Sequence, residues 1–396
     1  MRILVYIQTL LVAIFLDTRA INRILAYGGF SEEGLLNILY PLCILLMVSV
    51  GYLLKKYRMC SKVDRYVIVL VLLLPLYYFF TSYFVAEPFT SITLFLALCV
   101  AALLLPQYCK IEARPLLIFT MIIPSVAIFK MDQVFASYLD WSESISMDAC
   151  YAFLVPITAA CVYALTYLNE DSMKVKLLIL PFLVINFLFF LRIAMYGSRG
   201  PIVSLVITLL FFYTVRKKED IGIIVSKKRL FTVVLLSLVL YFTFIDLLIS
   251  IVGFLGDFGL EVTFFEKFLN LAKEGDVSNG RKDIASIAIK GFLSSPFWGN
   301  GMDSFNANTG LAYPHNLFLQ LLYDGGLLLS AVIILPILKK IKRTYHNCSY
   351  DEYTVYTFLL MCSVPGSMFS MDIWSNGVLW FAFGSLFVKK ILLANE

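Results

Sequence analysis

Three residues combine reactive chemistry with a setting that could use it: Arg199, Arg281 and His315. Arg199 stands in Gly197-Ser198-Arg199-Gly200-Pro201, immediately before an apolar run, and Pro201 suits the first turn of a helix. A helix start offers free backbone N–H groups and the positive end of the dipole, so a guanidinium there makes a phosphate site. Arg281 follows Asn279-Gly280 at the start of a second helical stretch, running to about Leu293 with Ile284, Ala288 and Phe292 on one face and Ser278 or Asn279 available as a cap. His315, between Pro314 and Asn316, opens another apolar run, and a helix N-terminus disfavours the imidazolium, which keeps a neutral base.

Each also has a plainer reading. Arg199 alone is at home as a headgroup anchor, Arg281 as a solvated charge and His315 as a cap. Tyr313, Trp298 and Phe305 could stack on sugar rings or simply sit at an interface. Arg192 and Asp246 fall near the ends of two apolar runs and could pair. Asp324 precedes Gly325-Gly326, which suggests close packing or a kink; Asp276, Asp283 and Asp303 read as solvated carboxylates or acid/base groups, the former favoured.

The elements that must position these residues are membrane spans. The chain is 60% hydrophobic and 15% charged over 396 residues. Apolar runs of the length a bilayer needs lie near 3–18, 35–54, 66–85, 89–108, 115–130, 149–168, 174–195, 200–215, 230–252, 316–338, 353–371 and 374–393. The expected fold is therefore all-α, a polytopic integral membrane protein of about twelve transmembrane helices in one domain, 1–396. The single long polar interval, 253–314, is expected to be an extracytoplasmic loop carrying short amphipathic helices, one of them over Glu261 to Ala272.

Charge sets the orientation. Of 32 Lys and Arg, 22 fall with 9 of the 27 Asp and Glu on the side reached after even-numbered spans. That side is cytoplasmic by the positive-inside rule, with both termini on it and the long loop facing the periplasm or cell exterior. The net charge of +5 is thus a topology signal, and no nucleic-acid partner is expected. Eight cysteines without a CxxC pattern predict no disulfide framework, and two histidines on opposite faces predict no zinc site.

Several stretches resemble a known family: Ser198-Arg199-Gly200, Asn279-Gly280-Arg281, Ser295-Pro296-Phe297-Trp298-Gly299-Asn300-Gly301, and Pro314-His315-Asn316-Leu317-Phe318-Leu319-Gln320 with Gly325-Gly326. In order and spacing they are similar to the O-antigen ligase/polymerase superfamily. The resemblance covers the C-terminal half; the first half matches only as hydrophobic helices. It implies a glycosyltransferase of the bacterial inner membrane, using undecaprenyl-diphosphate-linked oligosaccharides at the outer face without metal, cofactor or nucleotide sugar. Arg199 and Arg281 would hold the diphosphate and His315 would activate or orient the acceptor hydroxyl, with Asn316, Tyr313, Trp298 and Arg192 as substrate contacts.

Two activities compete within the resemblance. A Wzy-type polymerase extends lipid-linked repeat units, whereas a WaaL-type ligase transfers the finished glycan to lipid A-core in lipopolysaccharide biosynthesis. The ligase pattern carries a second glycine three residues on, and Gly326 is here followed by Leu327-Leu328-Leu329. That departure favours the polymerase, with membrane lipids, a chain-length regulator and a flippase as partners. A flippase or transporter is the reading from another class, but it calls for broken helices and charges near the midplane.

Overall fold

The computed structural model describes residues 2–27, 32–56, 63–84, 92–135, 147–196, 199–218, 222–233, 235, 254, 280–388 and 391–392. Most of the span expected at 230–252, the amphipathic stretch Glu261 to Ala272, Asp246, Asp276, Ser278 and Asn279 lie outside them, as do Gly197 and Ser198.

Helices dominate in chain order: α1 (Arg2–Leu16), α2 (Thr18–Tyr27), α3 (Glu32–Lys56), α4 (Arg65–Phe84), α5 (Ile92–Tyr108), α6 (Ala113–Lys130), α7 (Ala149–Thr166), α8 (Met173–Tyr196) and α9 (Arg199–Thr214). A two-stranded antiparallel hairpin follows, β1 (Val215–Lys218) and β2 (Gly222–Val225). The C-terminal part holds α10 (Arg281–Ser294), α11 (Phe305–Thr309), α12 (Leu317–Asn347), α13 (Tyr350–Phe369) and α14 (Gly377–Ser385).

Among the described residues, six helices are long and apolar enough to cross a membrane: the greater parts of α3, α4 and α8, and α6, α7 and α12. A seventh is counted if α1 and α2, bent by 65° about Asp17, form one span. The described residues thus do not show all of the expected twelve as straight crossings. Within 374–388 the chain instead forms the nine-residue α14, about 14 Å long by helical rise and buried on every side, with its Trp380 stacked on Trp374. α5 is short and passes through a π segment, Leu96–Ala101, and a 3₁₀ turn, Leu105–Tyr108. Total apolarity identifies a buried segment but does not tell lipid contact from protein contact, so a core helix reads as a span.

The connections sort by end. Asp64 pairs with Lys340 (2.7 Å), Arg114 with Glu170 (2.6 Å) and Asp171 (3.2 Å), and the Tyr167 hydroxyl donates to Asp351 (2.6 Å). The Ile111 N–H donates to the Ile391 carbonyl (3.1 Å), so the segments after even-numbered apolar runs meet at one end. At the other end Arg19 donates to the Ser375 carbonyl (3.0 Å) and Tyr313 to that of Ser370. These contacts sort the described connections into two sets, those after even-numbered runs and those after odd-numbered ones.

Candidate functional site

The site is built around the start of α12. Asn316 caps the helix: its Oδ1 accepts from the N–H groups of Phe318 (3.0 Å) and Leu319 (3.1 Å). His315 precedes it with φ of +56°, a conformation that β-carbon-bearing residues adopt rarely and that marks functional sites. The Tyr313 ring lies 4.4 Å from the imidazole, centroid to centroid. With its hydroxyl tied to the Ser370 carbonyl, Tyr313 is a buttress for His315.

The turn that receives Tyr313 is itself bound to α12. Gln320 donates to Asp372 and accepts from the Ile373 N–H (3.1 Å), and Asp372 accepts from the Ser375 N–H (2.8 Å). The Trp374 indole N–H donates to the buried Asp324 carboxylate (2.6 Å). These bonds fix the first turns of α12 against residues 370–376, and so fix where His315 can point.

α12 is broken where the two glycines predict a kink. Gly326 has non-helical torsions (φ 59°, ψ −164°), which strands backbone groups on both sides of it. The loop Pro296–Gly301 fills the break. Pro296 and Phe297 carbonyls accept from Leu327 (2.8 Å) and Leu328 (3.2 Å), while Asn300 and Gly301 N–H groups donate to Tyr323 (2.8 Å) and Asp324 (3.1 Å). The Tyr77 hydroxyl also donates to the Asp324 carbonyl (3.0 Å). A stretch that reads as a helix breaker is thus a splint that satisfies a broken span.

Arg281 is the first residue of α10, as expected, but Gly280 occupies the cap position, without a side-chain cap. α10 packs Ala288 and Ile284 onto Phe305 and Tyr323. Phe305 is 1% exposed and edge-on to Tyr323 (4.9 Å), so it is core and unavailable to a sugar. Asp303 is likewise buried, with φ of +57°, where a solvated carboxylate was expected.

Arg281 and His315 are brought together. Burial first, and then the Arg281 charge, lower the imidazole from its ordinary value to about 4. His315 is therefore neutral at physiological pH, and its Nδ1 is buried with no hydrogen-bond partner among the described residues. Arg199 begins α9, as expected. Its neighbour Gly200 packs on Tyr151: a Cβ there would stand 1.7 Å from the Tyr151 hydroxyl oxygen and 3.6 Å from Phe369. Arg281 and Tyr313 are also electrostatic neighbours of that hydroxyl. Gly200 beside Arg199, Arg281, and Tyr313 beside His315 thus converge around Tyr151, a residue that nothing in the local sequence pattern distinguishes.

The remaining expected contacts are more scattered. Arg192 is half-buried in the last turns of α8, just before the connection to Arg199. Trp298 sits on the splint, 70% exposed. A separate cavity of about 780 Å³ opens at the lysine-rich end beside Glu112, Arg114 and Asp351, with Arg114 already paired, and has no part in this cluster. The described cysteines are free, and no group of three or more His, Cys, Asp and Glu among the described residues is arranged to hold a metal.

Residues 182–334 match the family model described as O-Antigen ligase. The match supports the O-antigen ligase/polymerase superfamily. The matched O-antigen ligase stretch runs from α8 into the second part of α12, and so contains Arg192, Arg199, Arg281, the splint and His315. No curated protein matches the chain.

Proposed function

We propose that the chain is a multi-pass glycosyltransferase of the bacterial inner membrane that polymerises O-antigen or a related surface polysaccharide. The observation that carries this reading is the positive-φ turn at His315, stacked on Tyr313 and within the electrostatic reach of Arg281, with the helix start at Arg199 meeting the same cluster through Gly200 and Tyr151. Two arginines at helix starts suit a diphosphate, and a neutral imidazole suits a hydroxyl. The lysine-rich end would be cytoplasmic, with both termini on it, about twelve apolar passes, and the His315 end open to the periplasm.

In this reading the acceptor hydroxyl of one undecaprenyl-diphosphate-linked repeat attacks the anomeric carbon of the other glycan. The new C–O bond forms as the bond to the diphosphate breaks, and the electron pair leaves on undecaprenyl diphosphate. Arg199 and Arg281 stabilise that charge without a metal. The hydroxyl proton passes to His315, whose basicity, lowered first by burial and then by Arg281, rises in part once the bound diphosphate offsets the Arg281 charge. Membrane lipids, a chain-length regulator and a flippase complete the expected partners.

A ligase that delivers the glycan to lipid A-core is the second reading, favoured by the description of the matching family model. The sequence Leu327-Leu328-Leu329 after Gly326, without the second glycine of the ligase pattern, favours the polymerase. Deleting the gene and examining surface glycan separates them. A single repeat on the core means polymerase; long glycan retained on undecaprenyl diphosphate means ligase. Absence of any outward glycan would reject both in favour of a flippase.

A further inference from the structure

The cluster around Arg281 holds two buried polar atoms, one in α7 and one in the turn before α12, with no hydrogen-bond partner among the described residues: the Tyr151 hydroxyl and His315 Nδ1. Leaving such an atom unmet is costly, and native proteins rarely do so away from a ligand, ion or water. His315 already has a place in the proposed chemistry. Tyr151 does not.

The Tyr151 ring is 4% exposed and cannot swing away to find a partner. It packs with Ala149, Cys150 and Phe153 on its own side. On the other, Gly200 of α9 approaches the hydroxyl so closely that a Cβ would stand 1.7 Å from it, and a Cβ at Gly366 of α13 would lie 3.5 Å from the ring edge. The hydroxyl is thus held at the first turn of α9, where helix N–H groups and the dipole favour an anion, and within the field of Arg281. The Ser370 side chain is a further polar neighbour of the phenol, but not in hydrogen-bonding geometry with it. Neither a guanidinium nor a helix N-terminus can accept that proton, so the atom it is placed to meet is an acceptor oxygen brought by a ligand. A neutral sugar hydroxyl would leave the Arg281 charge uncompensated, whereas a phosphoryl oxygen serves the arginine, the helix start and the phenol together.

We infer that Tyr151 is a substrate-binding residue, donating a hydrogen bond to a phosphoryl oxygen of the lipid diphosphate between Arg281 and the start of α9. The inference rests on the diphosphate reading of the site given above. It assigns the hydroxyl to the donor's phosphates, leaving the acceptor to the imidazole.

The test uses the full-length protein in detergent with farnesyl diphosphate as the probe, measuring affinity and thermal midpoint for wild type, Tyr151→Phe and Arg281→Ala. Tyr151→Phe keeps the ring and removes only the oxygen. Its affinity should fall about tenfold or more, as expected for a hydrogen bond to a charged group. Its thermal midpoint should hold or rise, because a buried unmet hydroxyl is gone. Unchanged affinity in Tyr151→Phe, with binding abolished by Arg281→Ala, would overturn the assignment and leave the diphosphate reading standing. A fall in affinity matched by a fall in thermal midpoint would make Tyr151 a packing residue and also overturn it. If wild type does not bind the probe, the diphosphate reading fails, and the Tyr151 assignment with it.

Discussion

Gly326 and Phe297 meet backbone to backbone: a Cβ at Gly326 would stand 2.5 Å from both the carbonyl carbon and the carbonyl oxygen of Phe297. The positive φ of Gly326 and the seating of the splint loop are therefore one feature. Gly326→Ala should combine backbone strain of about 1–3 kcal/mol with loss of the loop's hydrogen bonds to Leu327 and Leu328. Gly310 is the control, since it has φ of +72° but open space for 4 Å around the point where a Cβ would stand. Thermal unfolding in detergent should show a much larger loss for Gly326→Ala than for Gly310→Ala; equal losses would mean that the splint contributes nothing.

Arg281→Ala and Arg199→Ala should each abolish polymer formation while protein level and membrane insertion stay near wild type. Arg281→Lys should restore little, because an ammonium lacks the planar fork that suits phosphate. Glycan laddering on gels is the readout, and full-length polysaccharide from either alanine variant would sink the diphosphate assignment.

His315 should titrate near pH 4, held down first by burial and then by Arg281. Its folded value lies below the unfolded one of about 6.5, so the unfolded state binds more protons between the two. Stability from this group is full above the unfolded value and is lost as pH falls through the window toward 4. The chain has two histidines, so labelled-imidazole NMR can follow each, and His346 is the internal reference. In Arg281→Ala the His315 value should rise part of the way back; no movement would mean that the two are not neighbours.

Asn316 offers a test of cap against contact. Asn316→Asp keeps an acceptor for the Phe318 and Leu319 N–H groups and adds negative charge beside the anion site. Stability should be retained while transfer falls by about tenfold or more, the scale of a charge placed against a bound anion. Retention of full activity would show that no anion binds there.

Ala312→Cys, an exposed position near His315, should react with an impermeant thiol reagent added to intact cells whose outer membrane is opened. Lys342→Cys, at the lysine-rich end, should react only after the inner membrane is breached. The reverse pattern would invert the orientation.

Composition and charge by themselves determined that this is a helical chain with two chemically distinct ends, because apolar length and Lys/Arg placement are sums over local sequence. Helix starts at Arg199, Arg281 and Asn316 were legible for the same reason: caps and first turns depend on a few adjacent residues. Tertiary structure alone decided that α14 is a buried core helix, that Phe305 and Asp303 face inward, and that residues 296–301 splint a broken span. It also decided that Tyr151, Gly200, Arg281 and His315 share one place. Those positions are far apart in the chain, and what brings them together is packing between helices, which depends on shape and on unmet hydrogen bonds and leaves no periodic trace in any one segment.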